Sequence, residues 1–144
     1  MLRIRPDGTV HHSGPPLWFS NGLISLDEGR ALLAAETIGG RIWRLGLRDH
    51  GLDEGRVVAT VDAQGLDGIA LVEDGSIWCA DIETGQVIRV DPEGREAQRV
   101  RTGFPNATSC VVTGRELVVT VLRKRPTAEL HCDGAVIALD LRRP

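Results

Sequence analysis

Asn21, Asp67 and Thr108 stand 46 and then 41 residues apart, each directly before a short apolar run: "GLISL", "GIALV" and "SCVV". An amide oxygen, a carboxylate and a hydroxyl, with Ser109 adding a second hydroxyl, are all oxygen donors. Gathered at one point they would suit a hard divalent cation such as Ca²⁺ or Mg²⁺. Read singly, Asn21-Gly22 and Asp67-Gly68 are ordinary turn dipeptides. Both readings stand at this stage. What sets the pair apart is that they share one phase of a repeat.

Other residues with chemical capacity are less suggestive. Cys79, Cys110 and Cys132 are odd in number and show no C-x-x-C spacing, so they are expected as reduced thiols rather than as zinc ligands. His11 and His12 are neighbours in a predicted strand and point to opposite faces. His50 and His131 fall in loops containing Gly or Asp and read as surface residues. Ser109 sits in "ATSCV", which lacks the G-x-S-x-G elbow, and no His or acid stands in a recognisable relation to it. A serine hydrolase is set aside.

Positioning three distant residues at one point needs a repeating frame, and the sequence has one. "GIALV", Glu73-Asp74-Gly75, "SIWCA", Thr84-Gly85 and "QVIRV" read as strand, turn, strand, turn, strand. "GLISL", "ALLAA" and "RIWRL" match them one repeat earlier, and "SCVV", "ELVVTV" and "AVIAL" follow one repeat later. "RVVATV" and "EAQRVR" add a fourth strand to the first two units. "EGRALLAAET" is the nearest helical candidate, but its repeat counterpart "DGSIWCADIE" is strand-like, so both are assigned as strands.

Four-strand units at a period in the forties predict an all-β protein built from propeller blades. The expected division is one domain over residues 1–144. It comprises outer strands of one blade at 1–13, blades at 20–62 and 66–102, and a partial blade at 107–142. Propellers close with about 4 to 8 blades, so an arc of about three should expose edges and faces and should not be a comfortable monomer. A hairpin turn is expected at Glu73–Gly75. Ile69, Leu71, Ile77, Cys79, Val87 and Leu117 are expected in the core, with Trp43 and Trp78 as its largest members. Glu36 and Glu83 are placed in loops on the same face as Asn21 and Asp67, as candidate extra ligands.

The net charge of −3 argues against a nucleic-acid partner, and Arg123-Lys124-Arg125 reads as a solvated loop. No apolar stretch approaches the roughly 20 residues that span a bilayer. The first residues, "MLRIRPDGTVHH", hold no apolar signal core, which predicts a cytoplasmic protein without membrane association.

"FSNGLISLDEGRALLAAET...RIWRLGL" resembles the F-P-N-G segment of the gluconolactonase family, which includes senescence marker protein (regucalcin) and luciferin-regenerating enzyme. "LDGIALVEDGSIWCADIETGQVIRVDPEG" resembles the family's P-D-G segment, and "NATSCVV" its P-T-S-C segment. "LRKRPTAELHCDGAVIAL" resembles the insertion before the last blade's final strands. The resemblance runs from about residue 4 to 140 and implies part of a six-bladed propeller, the C-terminal half.

It also implies a divalent metal, calcium ahead of zinc, manganese or magnesium, and a small sugar-type lactone as substrate. Asn21 and Asp67 match the family's metal ligands, Asp67 also matching its proposed base. Thr108 and Ser109 would then lie on the substrate side. Ser20, Leu66 and Ala107 replace family prolines. The family's first ligand, a Glu, and a further Asn have no counterpart here, so two expectations stand. One is a metal-dependent lactonase; the other is a non-catalytic half-propeller that forms a homodimer or pairs with a separate N-terminal half.

Overall fold

Alternating apolar residues, cut by glycine-bearing turns, make strand the dominant structure of the chain. The computed structural model describes residues 2–49, 51–124 and 132–142. His50, Arg125, His131 and the side chains of Lys124 and Cys132 lie outside that description. Among the described residues no helix is long and apolar enough to cross a membrane.

A two-stranded hairpin, β1 (Leu2–Ile4) and β2 (Val10–His12), comes first. The first sheet takes β3 (Ser20–Leu26), β4 (Ala31–Glu36) and β5 (Arg41–Arg48), in that order. A short β6 (Gly51–Leu52) pairs with the end of β5, and β7 (Arg56–Thr60) pairs along its body. β8 (Leu66–Leu71), β9 (Ile77–Asp81), β10 (Gln86–Val90) and β11 (Glu96–Arg101) make the second sheet. The third is β12 (Asn106–Thr113), β13 (Glu116–Lys124) and β14 (Cys132–Asp140). Every pairing is antiparallel.

Helix-forming composition does not decide "ALLAAE". Pairing with β3 on one side and β5 on the other holds it as β4, so tertiary packing overrides a weak local propensity. The turn before it is tight, with Asp27 (φ 51°) and Glu28 (φ 56°) in the left-handed region before Gly29. The expected turn at Glu73–Gly75 forms. Gly75 N–H donates to the Val72 carbonyl at 2.9 Å, and Gly75 takes the positive φ (84°) that its lack of a Cβ permits.

Two cores hold the sheets together. Leu33, Ala35 and Ile42 of the first sheet pack with Leu66, Ile69, Ile77, Cys79 and Ile88 of the second. Ala70, Trp78, Ala80 and Val87, also of the second, pack with Cys110, Leu117, Val119 and Val121 of the third. Each Val, Leu or Ile side chain among them, fully buried, stabilises by about 1.5–3 kcal/mol.

Two expected core residues differ. Leu71 is 41% exposed, because it ends β8 beside the hairpin turn, at the phase where β3 carries the exposed Ser25. Trp43 is only partly buried, whereas Trp78 lies between two sheets at 2% exposure. Arg123, expected in a solvated loop, stands on β13 with its guanidinium 4.9 Å from the centre of the Phe104 ring.

Candidate functional site at the bulged inner strands

The first strand of each sheet breaks register at the same place. β3 against β4 shifts between Ser20 and Leu23, β8 against β9 between Leu66 and Ile69, and β12 against β13 between Ala107 and Ser109. In each, one extra residue is fitted into the inner strand, a β-bulge. Bulges bend the strand and re-aim a side chain, and they recur beside active sites. Asn21, Asp67 and Thr108 sit in these three bulges. The turn reading of Asn21-Gly22 and Asp67-Gly68 therefore gives way: both pairs lie inside strands.

Their glycines serve close approach rather than positive φ. A Cβ on Gly22 would fall 2.6 Å from the Asp67 carbonyl oxygen, and one on Gly68 would fall 2.6 Å from the Ser109 Cα. β3 thus lies against β8, and β8 against β12, bulge beside bulge.

Asp67 is half-buried, and burial raises its carboxyl above the ordinary value of 3.8. Among the described residues no cation or hydrogen-bond donor engages its carboxylate to offset that. Asn21 is exposed beside it. Thr108 is less free. Its hydroxyl donates to the Thr120 carbonyl at 3.1 Å and lies 2.9 Å from the Thr120 hydroxyl. Ser109 is exposed, with its backbone against Gly68.

Glu36 does not stand ready as a ligand. It closes β4 rather than lying in a loop, and it is fully buried. Arg41 donates to both of its oxygens (2.8 and 2.7 Å), the Trp43 indole N–H donates at 2.6 Å, and the Trp18 backbone N–H donates at 2.9 Å. Burial alone would raise its pKa, but the donors, led by Arg41, outweigh burial and hold it below the usual range. Glu83 is exposed.

The sequence reading missed Asp81. It pairs with Leu66 and Gln86 as Glu36 pairs with Ser20 and Arg41. Buried, it accepts from the backbone N–H groups of Gln64, Gly65 and Glu83 and from the Thr84 hydroxyl. Each acid anchors the segment that leads into its bulge. The signal was there: the two acids occupy one repeat phase.

Further ties link sheet to sheet at this level. The Thr37 hydroxyl donates to the Leu66 carbonyl at 2.6 Å, and Asn106 Nδ2 donates to the Ile82 carbonyl at 2.7 Å. These ties join the three sheets at the level of the bulges. Among the described residues no three His, Cys, Asp or Glu gather around one point. The side chains carried at the three bulges are one carboxylate, one amide and two hydroxyls. Their type suits a hard cation; their number gives only part of a shell.

Known proteins resemble this chain in sequence and in fold. Residues 1–123 match the family described as SMP-30/Gluconolactonase/LRE-like region. Regucalcin of Danio rerio is 25% identical over 145 residues, which take in 97% of this chain and 46% of its own length. The chain therefore spans about half the length of the curated relatives it matches. Regucalcin of Agrobacterium tumefaciens, described as a calcium-binding protein, superposes with a TM-score of 0.67 at 23% identity, over 88% of this chain and 45% of its own. A gluconolactonase of Xanthomonas campestris gives a TM-score of 0.61 at 24% identity, over 82% and 40%. The likeness to these structures is one of fold, and that fold is propeller-like.

Proposed function

Because this chain belongs to the SMP-30/gluconolactonase/LRE-like family, we propose that it forms about three blades of a six-bladed propeller whose mouth hydrolyses small, sugar-type lactones. The sheets become blades over 20–62, 66–102 and 107–142, with residues 1–13 contributing outer strands to another. One observation carries the reading. Three successive strands bulge at Asn21, Asp67 and Thr108, each against the next, and the middle one carries a half-buried carboxylate that has no partner among the described residues.

Asp67 is the base in this reading. A carboxylate raised by burial, with no cation beside it among the described residues, is better matched to accept a proton from water than an ordinary surface acid. The water oxygen bonds to the lactone carbonyl carbon as its proton passes to Asp67. The ring C–O bond then breaks, and the departing alkoxide recovers that proton to give the open hydroxy acid. Asn21 orients the carbonyl oxygen, and Thr108 and Ser109 line the substrate side. Asn21 and Asp67 would also hold a divalent metal, calcium first and zinc, manganese or magnesium otherwise. Bound there, it would polarise the carbonyl and acidify water.

The second reading is a non-catalytic half-propeller, favoured by the shortage of donors: one acid where a hard cation usually takes six or more oxygens. The cytoplasm suits either, since Cys79 and Cys110 are free, buried thiols. A lactone-hydrolysis assay with added Ca²⁺, Mn²⁺ or Zn²⁺, on the wild type and Asp67→Asn, separates the two. Activity lost in the variant supports the enzyme. No activity under any metal supports the half-propeller, and activity that survives Asp67→Asn removes Asp67 from the mechanism.

A further inference from the structure

The segment that enters the first bulge is held as its repeat twin is, but it carries different side chains. Glu36 accepts from the Trp18 backbone N–H at 2.9 Å, and Asp81, the acid at the same phase, accepts from the Gln64 N–H at 3.3 Å. One residue on, the Phe19 carbonyl accepts from the Thr37 N–H and the Gly65 carbonyl from the Ile82 N–H, both at 2.9 Å. Trp18 and Gln64 are therefore equivalent positions, as are Ile38 and Glu83 in the turns after β4 and β9.

All four side chains are exposed, Trp18 by 66% and Ile38 by 55%. The second sheet has a sheet packed on either face, yet Gln64 and Glu83 stay open in it. This phase is thus open at the bulge end of a sheet whatever flanks that sheet. Where the second sheet presents an amide and a carboxylate, the first presents an indole and an aliphatic chain. The two are tied through the backbone, the Ile38 N–H donating to the Trp18 carbonyl at 3.2 Å. Between Trp18 and the bulge, Phe19 takes a left-handed φ of 61°. That conformation strains a bulky residue and persists only where its surroundings fix it. Neither of its twins, Gly65 and Asn106, takes a positive φ.

We propose that Trp18 and Ile38 form the platform on which the ring of a sugar-type lactone stacks while its carbonyl lies at Asn21 and Asp67. Trp18 stands three residues before Asn21, so their Cα atoms lie within about 11 Å of each other. A six-membered ring and an indole together span such a gap. The C–H groups of a sugar ring give it an apolar face, and an indole offers that face a large, flat, apolar surface. Aromatic walls with a few polar groups are the ordinary make-up of a small-ligand site. The ring hydroxyls are left for the Asn21 amide and for Thr108 and Ser109. The inference rests on the lactonase reading and adds to it a residue that selects the ring.

Tryptophan fluorescence tests it without turnover. Trp18 is far more exposed than the partly buried Trp43 or the sealed Trp78, so acrylamide quenching reports chiefly on Trp18. The probe is D-gluconolactam, whose ring amide resists hydrolysis, set against δ-valerolactam, the same ring without hydroxyls. Gluconolactam should shield Trp18 from acrylamide, and valerolactam should do so much less. By saturation-transfer NMR, Trp18→Ala should weaken gluconolactam binding about tenfold, and Trp18→Phe should largely restore it. Both variants keep the backbone N–H that Glu36 holds, so the β spectrum should not change. Shielding that persists in Asp67→Asn supports the platform whatever the hydrolysis assay returns, so the two readings fail separately. Three results would overturn the proposal: quenching unmoved by gluconolactam at tens of millimolar, equal binding in Trp18→Ala and wild type, or equal shielding by the two lactams.

Discussion

Gly22 stands directly against the backbone of Asp67: a Cβ on it would lie 2.6 Å from the Asp67 carbonyl oxygen and 2.8 Å from the Ile69 nitrogen. Neither atom can yield without moving a whole strand. Gly22→Ala should therefore cost about 1–3 kcal/mol, the range for overpacking, and should splay the two bulges. Gly134→Ala is the control, since among the described residues its Cβ would meet nothing nearer than the Val121 oxygen at 3.7 Å. Urea unfolding of the two variants checks this; equal midpoints would mean that β3 and β8 do not touch.

Asp67 should oppose folding when ionised. Its folded pKa is raised above 3.8 by burial, so the fold favours the protonated form. Stability is then lost as pH rises from the ordinary value through the raised one, and stays lost above it. Asp67→Asn should raise the Tm by about 1–3 °C at neutral pH and leave it unchanged well below 3.8. Millimolar Ca²⁺ should raise the wild-type Tm and leave that of the variant alone. A Tm that falls in the variant would mean that the carboxylate has a partner.

Glu36 should behave in the opposite sense. Arg41 and the other donors depress its pKa below 4.5, so its contribution is fully present above that value and fades as pH falls through the depressed one. Glu36→Gln should cost about 2–4 kcal/mol at neutral pH, and the gap from wild type should narrow in acid. A gap that stays constant with pH would show that shape, not charge, accounts for the loss.

Cys79 and Cys110 should be inert in the native state. Burial, and Cys110 nearby, push the Cys79 thiol up, and burial pushes Cys110 up to about 12. Iodoacetamide at mildly alkaline pH should leave both unlabelled until urea is added, as peptide mass spectrometry can read. Fast native labelling of either would mean that the sheet-to-sheet cores open readily.

Much of the frame was legible in the sequence because it is local. Alternation over five or six residues, with glycine-bearing turns between, identifies β8, β9 and β10 without reference to anything distant. The repeat phase then carries that reading to "ALLAAE", whose own composition points to helix. The same phase singled out Asn21 and Asp67. Glu36 and Asp81 were legible as a pair by that phase, but not their service as anchors, which depends on donors up to 18 residues away.

What only the tertiary structure decided is which face of each repeat has a neighbour. Trp43 and Ile88 hold the same place in successive repeats, yet one is half-covered and the other sealed, because Ile88 packs against the first sheet and Trp43 lies on the first sheet's opposite face. Alternation tells which residues share a face and says nothing about what covers it. The bulges are the same kind of fact. An extra residue in one strand exists only relative to its partner strand, so Asn-Gly and Asp-Gly read as turns until β4 and β9 are laid beside them.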